Sequence, residues 1–265
     1  MERDNIPQCI MQLIAGKPYE LDETGMSGST IMIFDDMVLK IEKDRGEEDP
    51  AVLMMRWLKG KLPVPEVLSY EKEGGYRYLL MTKIPGEMSC NDHYHEHPDE
   101  LLKILSDALR MFWEVDISGC PVTRDLDAEL KEARYRIDKG LVDIEDAEPG
   151  TFGENGSFKD PEDLYQWLDN NRPAFEPVLS HGDFCLPNIF IKDGKVSGFI
   201  DVGRAGICDK WKDIALCYRS LMHNFDGTFG GKVYPDFKPD MLFEQLGIGP
   251  DRDKIRYYIL LDELF

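Results

Sequence analysis

The dipeptide Asp193-Gly194, set between the apolar stretches 189–191 and 196–200, constrains this chain more than any other feature. A two-residue type I′ turn needs positive φ at both central positions, and Asp-Gly between apolar runs meets that need. Such a turn pairs Lys192 with Lys195, Phe190 with Ser197 and Asn188 with Phe199. Alternation then places Ile189, Ile191, Val196 and Ile200 with Gly198 on a core face, and Asn188 with Asp201 on the other. The last two become diagonal neighbours at the open end of the hairpin, within roughly 8 Å. Upstream, His181-Gly182-Asp183 closes a short apolar run, and residues 184–187 lead back to Asn188. Asp183, Asn188 and Asp201 thus supply one general base and two oxygen ligands for a hard cation such as Mg²⁺, which keeps waters and substrate phosphates as its other ligands. The competing reading is a structural hairpin preceded by an Asx turn.

The rest of the chain divides by pattern. Ile6, Ile10, Leu13 and Ile14 share a helical face behind Pro7, which predicts a short opening helix. Residues 24–30, Thr-Gly-Met-Ser-Gly-Ser-Thr, lie between a strand expected near Tyr19 and one over 31–34. A loop of that composition can lie over phosphates and offer N–H groups, and it also fits a plain hairpin. Asp35-Asp36 turns the chain into a strand over 37–42, where alternation sets Lys40 with Val38 and apart from Leu39 and Ile41. A helix is expected from about 48 to 59 with Pro50 in its first turn, then strands over 67–71 and 76–83 joined by Gly74-Gly75. Residues 84–98, with Pro85 and Gly86, form the natural boundary. They include His93, His95 and His97, which read either as part of a solvated linker or, on an extended segment, as zinc ligands facing one way. Beyond them helices are expected over 99–115, 124–139, 161–170, 209–222, 240–246 and 252–265, the first with Leu101, Leu102, Leu105, Leu109 and Phe112 on one face.

Charge narrows the partners. A net charge of −20 over 265 residues argues against nucleic acid and anionic membranes, both of which need basic patches. Residues 99–170 carry 8 Lys+Arg against 19 Asp+Glu, which reads as a solvated helical surface or as a negative cleft for a polycationic small molecule. The acidic loop 140–157 holds Asp143, Glu145, Asp146, Glu148 and Glu154. No apolar run reaches the ~18 residues of a membrane span, and the opening MERDNIPQCI is too charged for a signal peptide, so a cytoplasmic protein is expected. The 6 cysteines form no C-x-x-C pair and read as reduced thiols; Cys185 is a small packed residue or a reactive one.

The pattern H-G-D-x-x-x-x-N followed by I-D-x-G resembles the catalytic loop and metal-binding aspartate of the protein-kinase-like fold, with Gly182 where protein kinases carry arginine. More closely, HGDFCLPNIFIKDGKVSGFIDVGRAGICDKWKDIALCYRSL, with GKLPVPEVL near residue 60 and YYILLDELF at the end, resembles the aminoglycoside 3′-phosphotransferases over nearly the whole chain, with gaps near 44–50 and 224–240. The resemblance implies an α+β, bilobal fold: a small β-rich nucleotide-binding lobe (1–83), a linker (84–98) and a larger, mainly helical catalytic and substrate lobe (99–265). It implies that Asp183 orients or deprotonates the 3′-hydroxyl, that Asn188 and Asp201 hold Mg²⁺, that Lys40 binds phosphates of ATP or GTP, and that Met26, Ser27 and Gly28 cover them. Thr82 and Ile84 would meet the purine edge, with Val38 at a position that is tyrosine in some relatives. The glutamate that partners the lysine in the family is replaced by Ala51; Glu48, nearly one turn earlier, is the candidate and Glu47 the second. By the same resemblance Asp262, Glu263 and the terminal carboxylate of Phe265 accept substrate ammonium groups, as the acidic loop through Glu145, Asp146, Glu148 and Glu154 is expected to do, and Arg204 steadies the region. Leu186 stands where some relatives have a further substrate carboxylate. Anions in the last turn of a helix oppose its dipole, so either fraying or a compensating partner is expected there.

Three functions compete: an aminoglycoside kinase, a kinase of proteins or of another cationic metabolite of choline or ketosamine type, and an inactive nucleotide-binding scaffold. The step of eight positions from Asp201 to Asp209 leaves no room for a peptide-docking activation segment. Lys40, Asp183, Asn188 and Asp201 are all present, against the scaffold, and abundant carboxylates rather than an aromatic cage disfavour a choline-type substrate. The expectation is a monomeric or weakly dimeric aminoglycoside 3′-phosphotransferase that confers resistance.

Overall fold

A computed structural model of the chain describes residues 6–22, 29–44, 46 and 48–265. Helix α1 (Gln8–Ile14) follows Pro7 and turns Ile10 and Ile14 inward. Leu13, expected on that face, is 47% exposed, because the helix starts only at Gln8 and its buried stripe centres on Ile10 and Ile14. Strands β1 (Glu20–Asp22), β2 (Thr30–Ile33) and β3 (Met37–Lys43), helix α2 (Pro50–Leu58), and strands β4 (Val67–Glu73) and β5 (Tyr76–Thr82) follow. The five strands form one antiparallel sheet in the order β1-β2-β3-β5-β4.

The two faces of this sheet differ. Met32, Met37, Leu39, Ile41, Tyr78 and Leu80 pack with Ile6, Ile10 and Ile14 in a small core. Val38, Lys40 and Glu42 alternate with those positions on β3 and are only half-buried. Helix α2 is capped by Asp49, whose carboxylate accepts the Ala51 N–H at 2.9 Å, and it sends Val52, Met55 and Leu58 into the larger core.

Residues 84–98 are not an extended linker. Strand β6 (Glu87–Met88) pairs with β8 (Ile189–Lys192), and a turn of helix, α3 (Asp92–Glu96), follows with Asn91 as its cap. The helical turn separates the histidines: the rings of His93 and His97 lie 4.6 Å apart, whereas His95 packs on Phe225 and Tyr234.

Helix α4 (Pro98–Trp113) runs through the larger core with Leu101, Leu102, Leu105, Leu109 and Phe112 fully buried, as its periodicity requires. Helices α5 (Leu126–Lys139), α6 (Pro161–Asn170), α7 (Lys210–Phe225) and α9 (Arg252–Asp262) each begin on an aspartate whose side chain accepts a backbone N–H. Helix α8 (Met241–Leu246) packs on α4. Strand β7 (Pro177–Ser180) pairs with β10 (Gly206–Asp209). Among the described residues no helix is long and apolar enough to cross a membrane.

The hairpin of β8 and β9 (Lys195–Phe199) turns at Asp193 and Gly194 with φ of 53° and 70°, as the turn chemistry demands. Its register departs from the simple alternation. Lys192 pairs with Lys195 and Ile191 with Val196, but Phe190 pairs with Gly198 and Ile189 with Phe199, so Ser197 is an extra residue in β9. The bulge exchanges faces beyond it, and Phe199, not Ile200, joins Ile189 and Ile191 in the core.

One ion pair is sealed inside this lobe. Lys212 of α7 lies 2.7 Å from Glu129 of α5, with side chains 2% and 1% exposed. Lys212→Met would leave buried Glu129 with only Arg124, 3.8 Å from its Oε1, so it is expected to cost about 3 kcal/mol, the low end for a broken buried pair, and adding Glu129→Leu to recover part of it. Denaturant unfolding of the two variants checks this.

Candidate active site

Strand β7 ends at Ser180, and one buried carboxylate fixes the residues around it. Asp213, in the first turn of α7, accepts the Ser180 hydroxyl at 2.8 Å, the His181 N–H at 2.7 Å and the Gly182 N–H at 3.0 Å. The His181 ring accepts the Asp183 N–H at Nδ1 (3.2 Å), so its Nε2 carries the proton and donates to the Ile200 carbonyl at 2.9 Å. The ring thereby ties the loop to the strand end that leads to Asp201. Gly182 has φ of 81°, and a Cβ there would fall 2.1 Å from the Arg204 carbonyl oxygen. Only glycine fits so close an approach.

Residues Leu186–Asn188 form a 3₁₀ turn that brings Asn188 back to Asp183. The Asn188 Nδ2 donates to the Asp183 Oδ2 (2.9 Å) and carbonyl (3.0 Å), which leaves its own Oδ1 uncommitted. The Ile200 N–H donates to the Asn188 carbonyl at 3.0 Å, setting the two chain segments side by side. Asp201 follows at φ 59°, a left-handed conformation rare outside glycine. Its side chain is 57% exposed, with Lys40 Nζ 3.8 Å away. Asp183, Asn188, Asp201 and Lys40 are therefore brought together, and the oxygens of Asn188 and Asp201 suit a hard divalent cation.

The other positions expected around a nucleotide are less uniform. Val38 is half-buried on the Lys40 face. Thr82 is pinned to Glu66 by two hydrogen bonds of 2.9 Å. Ile84 lies over Gly198, where a Cβ would approach its side chain to 2.7 Å. Met26, Ser27, Gly28 and Glu47 lie outside the described residues. Glu48 is exposed ahead of α2 and is not the partner of Lys40: Lys40 Nζ instead lies 3.0 Å from Glu42 Oε1. Glu42 follows two residues later on the same strand face, a signal the alternation of β3 already contained.

Beside Asp183 opens a cleft of about 550 Å³ lined by the carboxylates of Asp143, Asp146, Glu148, Asp183, Asp262 and Glu263. Glu145 and Glu154, expected here, are exposed residues outside its lining, since the loop turns at Asp143, whose carboxylate accepts the Glu145 N–H. Asp143 takes part in their place. Arg204 does not line the cleft either; it stands behind Asp262, 2.8 Å from Oδ1, and stacks on Phe265 at 4.6 Å. Arg219 bonds the other oxygen of Asp262 and lies 3.5 Å from Glu263. Arg136 donates to the Leu264 and Phe265 oxygens, and Glu263 accepts the Glu148 N–H at 2.9 Å. His223 in turn bonds Glu148. The acidic end of the chain is thus held rather than frayed, and its compensation comes from Arg204 and Arg219. Arg219, His223, Asp213 and Arg136 escape a sequence reading because no local pattern marks residues that act on partners far along the chain.

Neighbours push the two tail carboxylates apart. Burial alone would raise Asp262, but Arg204, Arg219 and Lys212 hold it at about 2. Burial pushes Glu263 up to about 7 from 4.5; Glu148 and Asp262 add to this, while the Glu148 N–H and Arg219 oppose it. Burial and the adjacent Asp183 also push the Cys185 thiol well above its ordinary range, which fits a packed residue and not a nucleophile.

A carboxyl raised on folding favours the folded state fully below its unfolded pKa, and that advantage is lost as pH rises through the folded value. Stability should therefore fall between about pH 4.5 and 7 by up to about 3 kcal/mol on account of Glu263. Glu263→Gln is expected to flatten this slope in unfolding measurements across that range, whereas Asp262 matters only as pH drops from 3.8 towards 2.

Residues 23–240 match the model of the phosphotransferase enzyme family. The chain is 45% identical over 214 residues to an aminoglycoside 3′-phosphotransferase of Enterococcus faecalis, covering 80% of this chain and 76% of the relative. It is 34% identical to one of Niallia circulans over 98% of both chains. Among solved structures, an aminoglycoside-3′-phosphotransferase of type VIII superposes with a TM-score of 0.77 at 25% identity over 97% of each chain. The fold is α+β and kinase-like, and the chain belongs to the phosphotransferase enzyme family, beside the aminoglycoside 3′-phosphotransferases it is similar to.

Proposed function

We propose that this protein transfers the γ-phosphoryl group of ATP or GTP to the 3′-hydroxyl of an aminoglycoside and so confers resistance, in the cytoplasm and as a monomer or weak dimer. The observation that carries the reading is the meeting of Asp183, Asn188, Asp201 and Lys40 at the edge of a cleft lined by carboxylates. The names of the relatives point the same way.

Asp183 keeps one carboxylate oxygen free of the Asn188 amide and takes the acceptor hydroxyl, orienting it for in-line attack and receiving its proton. Asn188 Oδ1 and the Asp201 carboxylate hold Mg²⁺, which neutralises charge on the transferring phosphates. Lys40 contributes a further positive charge to those phosphates. Backbone groups of Thr82 and Ile84 meet the base, with Val38 against its face. Residues 1–83 serve the nucleotide, 84–98 connect, and 99–265 carry the acceptor. Asp143, Asp146, Glu148 and Glu263 receive substrate ammonium groups, each charge-assisted contact worth roughly 1.5–3 kcal/mol when desolvated.

Incubation with a panel of aminoglycosides and each nucleotide, with the phosphate located on the product by NMR, tests the proposal; no turnover of any aminoglycoside refutes it. Asp183→Asn is expected to lower kcat by about 10²–10⁴-fold with nucleotide affinity nearly intact. Asn188→Ala and Asp201→Ala should each raise the Mg²⁺ concentration needed for half-maximal rate, and saturation of both at the wild-type concentration would contradict a shared ion.

A further inference from the structure

Helix α2 (Pro50–Leu58, sequence PAVLMMRWL) carries no acidic residue at all, so it has nothing to offer Lys40. Ala51 packs instead against Gly203, where a Cβ would stand 3.5 Å from its own. The charges on the Lys40 face of the sheet and beside it form a different arrangement. Asp201, Lys40, Glu42, Arg77 and Asp49 alternate in sign along a continuous line. Lys40 Nζ lies 3.8 Å from Asp201 Oδ1 and 3.0 Å from Glu42 Oε1. The other oxygen of Glu42 accepts both Nε and Nη2 of Arg77, and Arg77 Nη1 lies 3.5 Å from Asp49. Glu42 and Arg77 are direct cross-strand partners in the pairing of β3 with β5, so strand register alone brings them together. Asp49 is 4% exposed and caps α2, so the line ends on the helix that packs against Val202–Arg204, just after Asp201.

We propose that Glu42, clamped by Arg77, is the positioning residue that holds Lys40 towards the nucleotide phosphates, in place of a glutamate on the helix. The inference rests on the reading of Lys40 as a phosphate-binding residue. A lysine on a long flexible stem loses rotamer freedom when it binds, and a fixed carboxylate on its own strand removes part of that loss beforehand. Glu42 is itself fixed, since two N–H groups of Arg77 converge on its Oε2 and leave Oε1 for Lys40. Burial would raise the Glu42 carboxyl, but Lys40 and Arg77 outweigh it and keep the group charged. Arg77 also carries the position of α2, through Asp49, to the same lysine.

The test is nucleotide affinity measured directly, by titrating a fluorescent ADP analogue with Mg²⁺ into wild type, Glu42→Gln, Glu42→Asp, Arg77→Met and Glu48→Gln. Glu42→Gln is expected to raise the nucleotide Kd at least tenfold while the aminoglycoside Kd, from calorimetry, moves less than twofold. Glu42→Asp, which keeps the charge, should recover part of the loss, and Arg77→Met should raise the nucleotide Kd in the same direction by less. A nucleotide Kd within twofold of wild type for Glu42→Gln, a larger rise for Glu48→Gln than for Glu42→Gln, or a parallel weakening of aminoglycoside binding each overturns the proposal. If Glu42→Gln does not fold, the Glu42→Asp and Arg77→Met affinities decide it by the same criteria. A wild-type protein that binds no nucleotide overturns this inference together with the function on which it rests, whereas wild-type binding with insensitive variants overturns this inference alone.

Discussion

The carboxylate of Asp213 is the interaction on which the site depends. It is fully buried and takes three donors from three consecutive residues, Ser180, His181 and Gly182. Removing the carboxylate would strand the Ser180 hydroxyl and the His181 N–H, a cost of about 1–3 kcal/mol apiece, while the Gly182 N–H would keep the Ser180 Oγ at 3.0 Å. Further along the same helix, Ser220 Oγ accepts the Leu186 N–H, so α7 holds the loop before and after Asp183. Lys212 and Arg219 of this helix also reach Glu129 and Asp262. One helix thus aligns the candidate base, the core ion pair and the counter-charge of the tail, which is why the four-residue loop 184–187 can be irregular without being loose.

Local chemistry was readable where the cause was local. The Asp193-Gly194 turn, the apolar stripe of α4 and the face of Lys40 all follow from residues within a few positions of one another. The failures share a different cause. The register beyond Ile191 slips because Ser197 bulges, donating to the Pro85 carbonyl while Gly198 makes room for Ile84, and both partners lie more than a hundred residues away. Residues 84–98 look like a linker from their prolines and polar run, yet β6 docks on a hairpin that the sequence places far downstream. The kinase-like pattern puts the partner of Lys40 on the following helix, whereas Glu42 stands on the same strand face.

Charge counting had a similar limit. The surplus of carboxylates in residues 99–170 does not sort itself into cleft and surface. Arg134 takes Asp138 and Glu162 on the outside, Arg172 takes Asp127 and Asp169, and Glu129 is spent in the core. What remains for the cleft is a small set anchored by the loop and the tail, with Arg204 and Arg219 already partly neutralising it. A polyamine entering there meets two kinds of carboxylate: Glu148, Asp262 and Glu263 must exchange existing ion pairs, whereas no ion pair engages Asp143, Asp146 or Asp183 among the described residues.

The placement of Lys40 and Glu42 on one strand bears on control. In protein kinases the lysine and its glutamate sit on separate elements, and moving the helix breaks the pair and silences the enzyme. Two residues apart on a single strand face, the pair here cannot be parted by any rigid movement of α2. Movement of α2 reaches the pair only indirectly, through Asp49 and Arg77, whereas strand geometry alone sets Lys40 and Glu42 side by side.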